Sequence, residues 1–377
     1  MIVKLGDIAS YVNGYAFKPS DWSGEGLPII RIQDLTGNSY QANRYNGAYH
    51  PKYEVNEGDV LISWSASLGV YVWKGERAVL NQHIFKVVFD KKEVDKSFFV
   101  HQVQNILENA ASEAHGATMK HLTKPVFDAL PFYLPTIEKQ KEIACVLDRV
   151  SELIVLRKEQ LAKLDQLVKS RFVEMFGDPV NNNFSWQTKS LDSICKTIVD
   201  CPHSTPSYTK ENTGYMCIRT SIVKKNRIIW DDIEYIPENE FNQRIQRKRP
   251  EKGDIVYTRE GAILGIAAMI DRDCNVALGQ RSMLLSPDTS KCLPQFLSMA
   301  MNFESFLRKA LGNISGSASP HINVGDIKSF PIILPPVELQ RQFATFVEQT
   351  EETKLTIQSS LDKLEVLKKS LMQEYFG

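Results

Sequence analysis

At 377 residues the chain exceeds one ordinary core and suits two domains with connectors. Hydrophobic content of 43% and charged content of 24% describe a globular protein, and no run approaches the 18 apolar residues of a membrane span. Lys+Arg and Asp+Glu both number 45, so net charge is zero and any nucleic-acid binding must come from local basic surface or from partners. The balance is local too: residues 1–135 hold 13 basic and 14 acidic side chains, residues 178–335 hold 19 and 17. The opening MIVKLGDIAS lacks the basic start and apolar core of a secretory signal. Six cysteines without a C-x-x-C pair read as free thiols, which places the chain in a reducing cytoplasm.

From the N-terminus, residues 1–135 alternate short strands and turns. The segments 28–35 (PIIRIQDL), 58–64, 69–75 and 83–90 are rich in β-branched and aromatic residues between glycines, so each predicts a strand. Residues 96–114 predict a helix with Phe99, Val103, Ile106 and Leu107 on one face. Residues 136–177 predict one long helix, entered after Pro135 and ended by Gly177. Leu147, Ile154, Leu161, Val168 and Met175 recur every seven residues, with Val150 and Leu164 three positions on, which is a coiled-coil seam.

The chain then repeats itself. Leu134-Pro135, Gln140, Lys163-Leu164, Ser170 and Phe176-Gly177 recur 200 positions later as Leu334-Pro335, Gln340, Lys363-Leu364, Ser370 and Phe376-Gly377. A constant offset means a duplicated element without net insertion, and the period is far too long for a solenoid. Residues 178–335 carry the landmarks of 1–135 in the same order: LGDIAS and LDSICK, GDVLISW and GDIVYTR, LNQHIFKV and LGQRSMLL. Residues 336–377 form the second long helix, whose seam uses Val347, Ile357, Leu361, Leu364 and Leu371. Arg157 and Arg171 correspond to Ile357 and Leu371, while Ile154 and Val168 correspond to Lys354 and Lys368, so the two seams are complementary. A pseudo-twofold axis would set the helices side by side and antiparallel. The class is α+β: two globular α/β segments (1–135 and 178–335) separated by two long helices (136–177 and 336–377) that form an antiparallel coiled coil.

Catalytic signatures are missing. There is no [DNS]-P-P-[YFW] tetrapeptide for adenine methylation, the one Pro-Pro being Pro335-Pro336, and no Gly-Lys dipeptide for a phosphate-cradling loop. The seven histidines show no metal-ligand spacing.

Two globular segments alternating with two near-identical helices, each entered through LP…Q and closed by FG, resemble the specificity subunit of type I restriction–modification systems. The resemblance spans the chain and rests on the order LGDI, GDVL, NQH, LPTIEKQKEIACVLD, repeated. It implies that each globular segment is a target recognition domain reading one half of a divided duplex DNA target. It implies that the helices are a spacer and docking surface for two adenine methyltransferase (modification) subunits, which restriction subunits then join. It also implies that this chain is no enzyme, and that S-adenosylmethionine, ATP and magnesium belong to those partners. The alternatives are a coiled-coil scaffold that joins two proteins without reading sequence, and a DNA enzyme with an unusual site. Physics supports part of what the resemblance implies: a helix of about 40 residues is roughly 60 Å long and, held along a duplex, would place two readers more than one helical turn apart, which predicts two half-sites with an unread spacer.

Base and phosphate contacts come from Arg, Lys, Asn, Gln, Ser, Thr and aromatic side chains in loops. The first-domain candidates are Tyr15, Lys18, Arg31, Gln33, Trp64, Ser65, Gln82, His83, Lys120 and His121. Those of the second are His203, Tyr208, Lys210, Arg219, Thr220, Arg259, Gln280, Arg281 and His321, with Arg247, Lys248 and Arg249 in the basic run RIQRKRP as a phosphate-contacting loop.

Overall fold

A computed structural model describes residues 1–37, 43–65, 67–113, 123–312 and 320–377. The chain divides into two compact units, Met1–Lys158 with Ser359–Gly377, and Glu159–Gln358. Each unit thus joins one globular segment to the adjoining half of one long helix and the distal half of the other.

In the first unit the strands are β1 (Ile2–Lys4), β2 (Ser10–Asn13), β3 (Leu27–Ile30), β4 (Arg44–Tyr45), β5 (Glu54–Val55), β6 (Val60–Ser63), β7 (Gly69–Val72), β8 (Ala78–Leu80), β9 (Ile84–Val88) and β10 (Pro131–Tyr133). One antiparallel sheet has the order β2-β9-β6-β7. A second has the order β4-β3-β8-β5, with β3 and β8 parallel. Strand β1 pairs with β10 and ties the chain start to the residues that enter the long helix. Strand β6 is an unbroken buried run because both faces are covered: Val60 and Ile62 enter one core and Leu61 another.

The second unit repeats this plan with β11 (Thr188–Ser190), β12 (Cys195–Asp200), β13 (Met216–Ile218), β14 (Val223–Lys224), β15 (Arg227–Ile228), β16 (Glu234–Tyr235), β17 (Ile255–Thr258), β18 (Ala267–Met269), β19 (Val276–Leu278), β20 (Ser282–Pro287) and β21 (Pro331–Ile333). Its sheets run β12-β20-β17-β18 and β16-β13-β19, with β13 and β19 parallel and β11 paired to β21. The hairpin β14–β15 has no counterpart among the described residues of the first unit.

One predicted strand is corrected. The segment 28–35 is a strand only to Ile30; Ile32–Leu35 is a helical turn. Asp34 is the cause, since its Oδ2 accepts the Arg31 backbone N–H at 2.8 Å and closes the chain on itself. The predicted helix over 96–114 is present as Lys96–Glu113, with Phe99, Val103 and Leu107 buried.

The long helices are Ile137–Phe176 and Val337–Phe376. In the first unit the start of one (Ile143, Ala144, Leu147) shares a core with the end of the other (Leu371, Met372, Tyr375, Phe376). In the second unit Val168, Phe172 and Phe176 meet Phe343, Phe346 and Val347. Successive partners run in opposite order (Asp165 with Lys354 and Phe172 with Phe343 in the second unit, Lys158 with Glu365 and Leu147 near Met372 in the first), so within each unit the helices run antiparallel. Of the predicted seam, Leu147, Val150, Ile154, Val168 and Leu361 are buried, while Leu161, Leu164, Val347, Ile357, Leu364 and Leu371 are half-buried. The polar seam position Lys354 reaches Asp165 of the other helix at 2.5 Å and Glu351 of its own at 2.7 Å. Desolvation pulls its pKa down, but these carboxylates outweigh it and the pKa is raised.

The repeated residues do repeated work. Gln140 accepts the Asp95 N–H (2.9 Å) and donates to the Pro135 carbonyl (3.0 Å). Gln340 accepts the Leu293 N–H (2.8 Å) and donates to Pro335 (2.8 Å) and Lys291 (3.1 Å). Each buried amide pins the entry of a long helix to the helix of its globular segment. At the far ends, Phe376 packs on Phe98 with ring centroids 5.5 Å apart, and Phe176 packs on Phe296 at 4.8 Å. The closing glycines have φ of 76° and 89°, the left-handed cap that leaves the fewest carbonyls unpaired.

Candidate nucleic-acid interface

In both units several loops converge at one end of the four-stranded sheet. The centre is the turn from β8 into β9 in one unit, Gln82-His83, and from β19 into β20 in the other, Gln280-Arg281. In the first unit Gln82 N–H donates to the Tyr15 carbonyl (2.8 Å), Trp64 N–H to the His83 carbonyl (3.3 Å), and Asn81 N–H to the Ile30 carbonyl (3.1 Å). In the second, Arg259 N–H donates to the Arg281 carbonyl (3.1 Å), Cys201 N–H to Ser282 (3.2 Å), and Gly279 N–H to Ile218 (2.9 Å). A Cβ on Gly279 would stand 2.7 Å from the Tyr208 hydroxyl and 2.9 Å from the Ile218 carbonyl, so only glycine lets this turn lie so close.

His83 and Arg281 share a further property. Their φ angles are +71° and +74°, a left-handed conformation that side-chain-bearing residues rarely adopt. Such strain persists only where surrounding bonds fix it, and it clusters at functional positions. The same strained turn thus presents an imidazole in one unit and a guanidinium in the other.

Equivalent positions hold matched pairs. Asn13 ends β2 opposite Phe85, and Asp200 ends β12 opposite Met283. Asn13 Oδ1 accepts the Trp64 indole N–H at 3.3 Å. Asp200 grips Arg259 through two bonds of 2.8 Å, with His203 Nε2 lying 3.1 Å from the same carboxylate. A neutral indole meets an amide where a cation meets a carboxylate. Sequence reasoning missed Asn13 and Asp200; the matched ends of the two first sheet strands were the signal that would have found them.

Several of the predicted contact residues already have partners within the chain. Arg259 is 7% exposed, so it braces the loop through Asp200 rather than offering a free fork. Ser65 is 5% exposed and shapes its loop from within. In the run RIQRKRP, Lys248 pairs with Glu251 at 2.8 Å, and Arg249 bonds Asn275 at 2.5 Å. Arg247 remains exposed and touches the Asp200 carbonyl at 3.3 Å. Arg31 pairs with Asp34 at 3.1 Å, with Gln33 alongside its guanidinium. Arg219 pairs with Glu234 at 3.1 Å and lies 5.2 Å over the ring of Tyr208, whose phenol pKa burial raises. Both arginines directly follow the parallel strands β3 and β13, beside the central turn. Thr220 follows in the same short turn.

Tyr15 is exposed and joins a line of rings, 4.9 Å from Phe17 and 5.6 Å from Tyr53. Trp64 is edge-on to His83 at 5.0 Å. Lys18 and Lys210 are exposed. Gln280 accepts from the Thr205 hydroxyl at 3.0 Å. His321 bridges Glu260 beside the Arg259 loop. Lys120 and His121 lie outside the described residues. The cysteines are free thiols, and burial pushes Cys217 up to about 12. Among the described residues no group of His, Cys, Asp or Glu is arranged to hold a metal, and no helix is long and apolar enough to cross a membrane.

The sequence matches the family described as "Type I restriction modification DNA specificity domain" twice, over residues 1–166 and 183–366. The chain belongs to that family. The EcoBI specificity subunit of Escherichia coli is 23% identical over 99% of this chain and 85% of its own length. The MjaVIII specificity subunit of Methanocaldococcus jannaschii is 23% identical over 98% and 90%. The type I S subunit from M. genitalium shares the fold, with a TM-score of 0.60, 14% identity and coverage of 100% and 96%. A chain solved in work on assembly and conformational transition of a type I system gives 0.56, 18%, 100% and 97%. This protein is thus a specificity subunit, a non-catalytic part of a restriction–modification system.

Proposed function

We propose that this specificity subunit binds one DNA duplex at a divided, asymmetric target, each unit reading one half-site. The observation that carries this reading is the strained turn built twice with different side chains, His83 and Arg281. Identical geometry fits two segments of the same ligand, and different chemistry fits two different sequences. The long helices hold the readers apart over a stretch of unread base pairs. They also dock two adenine methyltransferase subunits, and restriction subunits join through those. Adenine extrusion and methyl transfer take place on the partners, which hold S-adenosylmethionine, ATP and magnesium. The six free thiols agree with work in a reducing cytoplasm.

Sequencing of modified adenines in the source genome tests this. The expected result is a two-part, non-palindromic motif with a fixed gap. A continuous or palindromic motif assigned to this system contradicts the reading.

A further inference from the structure

We propose that Arg281 reads a guanine in the half-site taken by the second unit, its guanidinium gripping the two acceptors of that base in the major groove. This rests on the divided-target reading above and names its chemistry at one position.

The first argument is availability. Arg259, Arg219, Arg244 and Lys248 at or near this loop cluster are each neutralised by a carboxylate. Arg281 is exposed and has no ion pair among the described residues. The second is placement. Its backbone is held at φ +74°, with its carbonyl fixed by the Arg259 N–H at 3.1 Å. A cation that grips phosphate gains little from so fixed an approach, whereas a planar fork that must meet two acceptors at once gains much. The side chain lies beside Gly261, whose φ of +92° calls for glycine and where a Cβ would stand 3.4 Å from Arg281 Nη1, in ordinary contact.

The third argument is polarity. Gln280 already accepts from Thr205 at 3.0 Å through its Oε1, which leaves its amide N–H groups as the end still able to donate. The tip therefore shows donors beside donors. Guanine offers N7 and O6, both acceptors, on its major-groove edge, while adenine offers a donor at N6 that would face these donors. His83, at the same turn of the first unit, has no fork, so this preference belongs to one half-site only.

The test uses the full chain in complex with its methyltransferase partners, the mapped target, and a panel of single-base substitutions. Because φ is positive, Arg281→Gly removes the side chain without straining the turn, as alanine would. The proposal expects this variant to bind the native target about ten- to a hundredfold more weakly and to lose discrimination at one G·C pair only. For the wild type, 7-deazaguanine at that pair should weaken binding about tenfold, and it should leave the variant unaffected. Arg281→Lys, which keeps the charge but not the fork, should not restore discrimination. Equal weakening across the panel with a flatter salt dependence would make Arg281 a phosphate contact and overturn the proposal. So would a half-site without guanine at the affected position. A wild-type complex with no sequence preference would overturn the divided-target reading and this inference together.

Discussion

A single buried amide shows how closely residue and architecture are linked. Gln340 is fully buried and satisfies one N–H and two carbonyls. Gln340→Leu keeps the bulk and strands those groups. Each unpaired buried polar group costs about 1–3 kcal/mol, so the variant should lose several degrees in Tm by calorimetry. An unchanged Tm would remove the pin. The sequence pointed to Gln140 and Gln340 through their constant offset, but not to their partners. Asp95 and Leu293 share no residue type because they contribute only a backbone N–H. The candidate site was legible in the same partial way. Gln82, His83, Gln280 and Arg281 stand in one motif, yet nothing in LNQH and LGQR announces a left-handed φ. The ion pair of Arg259 was not legible because its partner Asp200 is 59 positions away.

At the level of elements, the heptad spacing predicts a seam, and the ends of the helices depart from it for a clear reason. Near the middle, Leu161 and Ile357 are only half-buried. Towards the ends each helix also packs on a globular core, so the apolar stripe widens to include Phe172, Phe176 and Phe343. Phe172 stacks on Phe296 at 5.6 Å and meets Phe343 edge-on at 5.5 Å. Phe172→Ala should therefore cost about 3–5 kcal/mol in urea unfolding, far more than a purely two-helix seam position. A cost below about 1 kcal/mol would mean that the helix end does not share that core. The segment 28–35 shows the reverse case, where β-branched residues predict a strand but one local carboxylate at Asp34 ends it.

For the molecule as a whole, duplication is the property that sequence displays best and that folding repeats most faithfully. Both units contain the same four-stranded order and the same parallel pair although few of their residues match. Core positions need only apolar bulk on alternating faces, so topology survives where loop chemistry diverges. That divergence is the proposed source of an asymmetric target, and the long helices are the proposed ruler. The direct test is to insert one heptad at the midpoint of both long helices, which preserves the seam, and to map the methylated sequence. Seven residues add about 10 Å, or about three base pairs. The account predicts both half-sites unchanged and a gap longer by that amount. An unchanged gap in an active complex would contradict it.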